Sequence, residues 1–205
     1  MQVVVGIDIG GTKCAVSFAK QHSDDIEFLD KVRMKTETES FDRAMESFIR
    51  IIREKFSQNP DWQLMSIGIS CGGPLDAEKG LILSPPNLLK WEKADVYTPL
   101  KKEFGVPVML QNDADACALA EWSMGAGKGC KNMIFLTFGT GMGAGLILNN
   151  ELYSGTTSMA GEGGHIRIGE DGPLGFGRNG CFLRVCNGGG DAQLGRTEEG
   201  KKPLA

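Results

Sequence analysis

The stretch Val3–Lys13, VVVGIDIGGTK, runs an apolar strand into an aspartate, two glycines, a threonine and a lysine. Adjacent glycines after a strand let backbone N–H groups face an anion with no side chain in the way. Thr12 and Lys13 add a hydroxyl donor and a cation. A carboxylate two residues earlier does not suit a bare anion, but it suits one that arrives with a divalent cation. Asp8 would then hold Mg2+, directly or through water, and the cation would bridge the phosphates. The competing reading is a tight hairpin in which Asp8 only bonds nearby backbone.

Outward from this turn, Val3–Ile9, Cys14–Ala19 and a third strand around Glu27–Val32 predict a meander of antiparallel hairpins. Phe41, Ala44, Met45, Phe48, Ile49, Ile51 and Ile52 recur at helical spacing behind Ser40, a capping residue, and predict an amphipathic helix. MSIGIS (Met65–Ser70) reads as a short buried strand entering CGGPLD, followed by a loop punctuated by SPPN and a helix near Val96–Phe104. VPVMLQ is a strand, and NDADACALAEWSMG a helix whose inner face is built of small residues. After GAGKG the pattern restarts, with NMIFLTF as a strand, GTGMGAG as a turn and LILNNELY as a second strand. Strand, glycine turn, strand therefore occurs twice, at 3–19 and 132–148, a weak internal repeat of element order. It divides the chain into residues 1–118 and 119–205.

The second glycine turn, in FLTFGTGMGAG (Phe135–Gly145), again puts Gly-Thr-Gly after a buried strand. Two such turns in a repeated context make a two-loop phosphate clamp. Neither is a Walker loop, which needs GxxxxGK[ST], nor the dinucleotide fingerprint GxGxxG opening a helix. Between them, QNDADA lies at a strand-to-helix junction. Asn112 or Asp113 reads as the helix N-cap; alternatively, if the glycine loops come together, a carboxylate here accepts a proton from an attacking hydroxyl. AGEGGHIRIG holds Glu162 and His165, one of two histidines, spaced for a paired polyol contact or for a structural role. His22, in the polar KQHSDD turn, is expected to be exposed.

Composition narrows the function classes. With 205 residues, 41% of them hydrophobic, and a formal charge of −4 whose Lys and Arg are scattered, the chain lacks the basic footprint of a nucleic-acid binder. No apolar run is long enough to span a bilayer. Met1 leads into a strand with no basic n-region or cleavage site, so a cytoplasmic location is expected. Six scattered cysteines without a CxxC pair read as reduced thiols acting as small hydrophobes. Twenty-nine glycines, clustered after residue 120, mark tight turns or close approach to a ligand. The tail TEEGKKPLA reads as an exposed, frayed end.

In this order GIDIGGTK, GISCGGPLD, SPPNL, QNDADA, TFGTGMGAG and GEGGH resemble the ROK family of bacterial sugar kinases and repressors. The resemblance covers nearly the whole chain. It implies an α/β, actin-like/hexokinase-like ATPase fold with a ribonuclease H-like motif, two lobes with the ligand cleft between them, and a possible homodimer. It implies ATP- and Mg2+-dependent phosphorylation of a hexose or amino sugar. Asp113 matches the family's catalytic base. Asp8, Gly10, Gly11, Thr12 and Lys13 match the first phosphate loop, and Thr137, Gly139, Thr140 and Gly141 the second. Gly72, Gly73, Asn87, Asn112, Asp113, Glu162 and His165 match the sugar contacts.

Three departures qualify the match. The family's zinc motif is incomplete: His165, Gly177, Gly180 and Cys181 are kept, but Leu174 and Phe176 stand at the first two cysteine positions. Two ligands do not close a tetrahedral site, so no structural zinc is expected. Leu183 replaces a glutamate that contacts the sugar, and leucine cannot accept a hydroxyl hydrogen bond. Family members also continue further past CNGGGDAQLGR, so the second lobe is expected to be incomplete, with little to hold the adenine. A non-catalytic sugar-binding protein is thus one alternative. The other is a ROK regulator lacking its DNA-reading domain, since Met1 lies one residue before the first strand.

Overall fold

A computed structural model of the chain describes residues 1–22, 25–138, 142–170, 174–175 and 178–182. Two compact units are present, Met1–Ala116 and Cys117–Ala205. Each is described by itself.

The first unit begins with β1 (Gln2–Ile9), β2 (Lys13–Gln21) and β3 (Ile26–Lys35), the antiparallel meander that the alternating pattern predicts. In β1 the odd positions Val3, Val5, Ile7 and Ile9 are buried while Gly6 and Asp8 face outward. Helix α1 (Phe41–Gln58) follows, capped as expected by Ser40, whose hydroxyl accepts from the Arg43 N–H at 3.4 Å. Its buried stripe, Ala44, Met45, Phe48 and Ile52, enters the same core as the odd residues of β1. Fully burying a side chain such as Phe48 contributes about 1.5–3 kcal/mol. The helix serves as the crossover that lets β4 (Gln63–Cys71) lie parallel to β1.

Three two-residue strands come next, β5 (Leu75–Asp76), β6 (Leu81–Ile82) and β7 (Ala94–Asp95), forming a small antiparallel sheet where the sequence shows only a loop. Trp91 is wholly buried beside this sheet, and its indole N–H donates to the Glu37 carbonyl at 3.1 Å. Helix α2 (Tyr97–Phe104) is capped by Asp95, which accepts from the Tyr97 and Thr98 N–H groups. Strand β8 (Val108–Asn112) runs parallel to β4, and helix α3 (Asp113–Met124) leaves its end. Ala114 and Ala118 are buried, the small inner face that was anticipated.

The main sheet has the order β3-β2-β1-β4-β8. Its register aligns Asp8 with Ser70 and Ser70 with Gln111, so the carboxyl ends of the three parallel strands lie level. In open α/β sheets this is the end where ligands bind.

The second unit holds β9 (Met133–Phe138), β10 (Met142–Leu148) and β11 (Glu151–Leu152), antiparallel in the order β11-β10-β9. The repeat therefore exists as topology, with the same meander opening both units. Its second strand was misplaced. β10 starts at Met142, so Gly143, Ala144 and Gly145 are strand, and LILNNELY contains a hairpin of its own. Asn149 and Asn150 both have positive φ, 55° and 66°, as a type I′ turn requires. Among the described residues β9 pairs with β10 alone, and Ile134, Leu136 and Phe138 are exposed. A single helical turn (Gly163–His165) and a short hairpin of β12 (Leu174–Gly175) and β13 (Arg178–Asn179) complete the description.

No described helix is long and apolar enough to cross a membrane. Cys14, Cys71 and Cys181 are buried, as small hydrophobes should be, but Cys117 and Cys130 are exposed. Cys117 immediately precedes the buried Ala118, about 100° away around α3, and lies on its exposed side. His22 is exposed, 3.3 Å from Glu27.

Candidate functional site

The first glycine turn is closed by a bond from the Gly10 N–H to the Lys13 carbonyl, 3.1 Å. A Cβ on Gly10 would sit 2.7 Å from the Lys13 carbonyl oxygen, and one on Gly11 only 2.3 Å from the Asn87 Cβ. The glycines thus allow a tight turn and the close seating of the SPPN loop on it. Asn87, predicted from the family resemblance as a sugar contact, lies directly against the first phosphate loop. Asp8 is exposed just before the turn, and one of its oxygens accepts from the Ser70 hydroxyl at 2.9 Å.

Of the two cap candidates, Asn112 takes that role. Asn112 Oδ1 accepts from the N–H groups of Ala114 (2.9 Å) and Asp115 (3.4 Å), making it the cap of α3. Asp113, the exposed first residue of the helix, holds its own Oδ1 against the Ala114 N–H at 2.8 Å. Its Oδ2 points toward the Gly72-Gly73 loop, where a Cβ on Gly72 would lie 3.8 Å away. A Cβ on Gly73 would come 3.5 Å from Asn112 Nδ2. Gly72, Gly73, Asn112 and Asp113 are therefore one group of neighbours. Beneath it Asp115, 4% exposed, accepts from the Gln111 side chain at 3.0 Å. This support for the β8–α3 corner was missed in the sequence.

The Cys71 thiol reports how close the carboxylates are. Burial pushes its pKa up to about 12, and the negative charges of Asp113, of Cys14 and of Asp8 add to the rise. Asp8 and Asp113 act on the same buried sulfur from the carboxyl ends of β1 and β8. A second missed residue is Thr36, 5% exposed, whose hydroxyl donates to the Gly10 carbonyl at 2.6 Å. Nothing in KVRMKTETES distinguishes it from a strand end.

In the second unit Thr137 is exposed near the end of β9 and pairs in register with Gly143. Gly139, Thr140 and Gly141 lie outside the described residues. Glu162 and His165 are brought together by the helical turn, with Oε2 and Nε2 3.6 Å apart and both side chains about half exposed. That turn packs on β10: a Cβ on Gly161 would strike the Ala144 carbonyl oxygen at 2.0 Å. Phe176, Gly177, Leu183, the CNGGGDAQLGR stretch and the terminal TEEGKKPLA, on which the zinc and Leu183 expectations fall in part or whole, also lie outside the described residues.

The residues present suit a magnesium-bound triphosphate. Asp8 is an exposed carboxylate, and a side chain at Gly11 would break the seating of the turn on Asn87. Magnesium is commonly held by one or two carboxylates plus phosphate oxygens, and Asp8 is such a carboxylate beside the turn.

A parallel sheet fronted by an antiparallel meander, a glycine turn after β1 and a second meander define an actin-like/hexokinase-like ATPase fold. The chain belongs to the ROK family, whose family model matches residues 4–202. It is 33% identical over 189 residues to a glucokinase of Streptomyces coelicolor, covering 92% of this chain and 57% of that protein. A xylose repressor of Bacillus subtilis is 32% identical over 184 residues, covering 87% and 46% respectively. The crystal structure of a ROK glucokinase from Streptomyces griseus, in complex with glucose and AMPPNP, superposes with a TM-score of 0.72 at 29% identity. That likeness covers 98% of this chain and 62% of the solved one. The chain thus spans little more than half the length of its glucokinase relative.

Proposed function

We propose that this chain carries the sugar-kinase chemistry of its glucokinase relatives, phosphorylating a hexose or amino sugar with Mg·ATP. One observation carries the reading. Asp113, exposed and uncommitted at Oδ2, stands at the same carboxyl end of the parallel strands as Asp8 and the glycine turn. A sugar hydroxyl lying over the Gly72-Gly73 loop gives its proton to Asp113 Oδ2 as its oxygen attacks. Asn112, fixed as the helix cap, directs its amide toward the same loop, and Asn87 supplies a further hydroxyl contact. The turn at Gly10–Lys13 would receive phosphate oxygens, and Asp8, steadied by Ser70, would hold the metal. Mg·ATP, when bound, supplies the phosphoryl group and the cation that neutralises its charge.

A coupled ADP-release assay against hexoses and N-acetyl amino sugars tests this. Sugar-dependent release that falls at least a hundredfold in Asp113→Asn, with an unchanged circular dichroism spectrum, is the expected result. Turnover kept in that variant sinks the assignment of the base.

The similarity to a xylose repressor supports a second reading, a sugar-binding chain without turnover. It predicts sugar binding by calorimetry from folded protein with no ADP release for any sugar.

A further inference from the structure

We infer that Thr36 is a positioning residue for the first phosphate loop, acting through the loop's backbone, an inference that rests on the kinase reading above. Thr36 follows the last residue of β3 and is almost completely buried. Both of its hydrogen-bond donors go to the glycine turn. The hydroxyl donates to the Gly10 carbonyl at 2.6 Å, and its N–H donates to the Thr12 carbonyl at 3.1 Å. A hydroxyl has one proton, and this one goes to Gly10, so in the 3.3 Å contact with Cys14 the sulfur is the donor, its single proton shared with the Gly10 carbonyl 4.0 Å away. Burial keeps that thiol protonated by raising its pKa, so the donor is present at neutral pH.

A relay results: Cys14 S–H to Thr36 O–H to Gly10 C=O. It does for the turn what a strand neighbour does elsewhere, because it binds carbonyls that would otherwise turn outward. The peptide unit is planar and trans, with C=O and N–H opposed. Drawing the Gly10 and Thr12 carbonyls toward Thr36 therefore turns the N–H groups of Gly11 and Lys13 the other way. The Gly10 N–H is already taken by Lys13. A loop meant to bind an anion must keep its carbonyl oxygens away from the phosphates, since each inward oxygen repels them. Thr36 supplies that constraint from a position 26 residues from Gly10 in the chain.

The test separates this role from mere stability. Thr36→Val keeps the shape and removes the hydroxyl, whereas Thr36→Ser keeps the hydroxyl and removes a methyl. The affinity of the 205-residue chain for Mg·AMPPNP is measured by calorimetry at a temperature where circular dichroism shows each variant fully folded. Thr36→Val is expected to bind about tenfold more weakly, the equivalent of one net hydrogen bond, and Thr36→Ser within about twofold of wild type. A role in stability alone would lower the melting temperature and leave the affinity of the folded chain unchanged. If the valine variant does not fold, Thr36→Ala against Thr36→Ser carries the same comparison. Equal affinities in the hydroxyl-bearing and hydroxyl-lacking variants overturn the proposal. So does a serine variant that falls as far as valine, because the methyl would then be what matters. A wild-type chain that binds no Mg·AMPPNP overturns the kinase reading and the role of Thr36 together.

Discussion

Replacing Gly11 with alanine tests the seating of the SPPN loop on the first glycine turn. Gly11 does not have a positive φ, so alanine meets no backbone objection there. The obstacle is Asn87. The new Cβ would lie 2.3 Å from the Asn87 Cβ and 2.9 Å from its Cγ, whereas carbons pack at about 3.5–4.0 Å. Rotating the asparagine relieves the second contact but not the first, because a Cβ moves only with its backbone. The loop carrying Asn87 must therefore retreat by about 1 Å, at a cost of about 1–3 kcal/mol. Thermal denaturation followed by circular dichroism should show Gly11→Ala melting roughly 8 °C lower for a 2 kcal/mol loss. A double-mutant cycle identifies the cause. In an Asn87→Gly background no Cβ remains to clash, and the penalty of Gly11→Ala should nearly vanish. In an Asn87→Ala background the Cβ remains, and so should the penalty. A Gly11→Ala chain that melts within about 1 °C of wild type, or one that loses the same stability in the Asn87→Gly background, would refute the close approach.

Two further predictions concern ionisation. The Asp95 carboxyl lies below the usual carboxylate range: burial alone would raise it, but the Thr98 hydroxyl, the Thr98 and Tyr97 N–H groups and Lys101 outweigh that. A depressed folded pKa adds stability above the unfolded value, about 3.9, that is lost as pH falls through the folded one. Asp95→Asn, which keeps a capping acceptor, should flatten that acid limb in denaturant titrations at pH 2–5, and an unaltered limb would exclude Asp95 as its source. For the thiols, mass-spectrometric alkylation at pH 8 should label exposed Cys117 and Cys130 well before Cys14 or Cys71, whose thiol is pushed up to about 12. Labelling of Cys71 in folded protein at the rate of Cys130 would contradict its burial.

What could be read from the sequence was what is local. Alternation in VVVGIDI and the helical spacing from Phe41 to Ile52 each report a period within one element, and the three-strand meander and α1 followed from them. GTGMGAG misled because glycine marks both turns and close backbone approach. Gly143 and Gly145 belong to a strand crossed closely by Gly161. The sheet of β5, β6 and β7 escaped notice because two-residue strands carry no period. At the candidate site, the loop glycines and QNDADA were visible as motifs, yet only coordinates divide Asn112 the cap from Asp113 with its outward oxygen. Thr36 and Asp115 could not be found at all. Each is identified by its burial and its partners, and the partner that matters for Thr36 is far away in the chain.

The described edge of β9 has a consequence for handling the protein. Backbone donors and acceptors along one side of Met133–Phe138 pair with no described strand, and Ile134, Leu136 and Phe138 stand 65%, 44% and 51% exposed beside them. In colloidal terms a strand edge left unpaired is a template that recruits extended chains, and recruitment rises with concentration. A purified sample should therefore be dilute and cold, and a lysine at Ile134 is the smallest change that would blunt the template while leaving every residue of the candidate site in place.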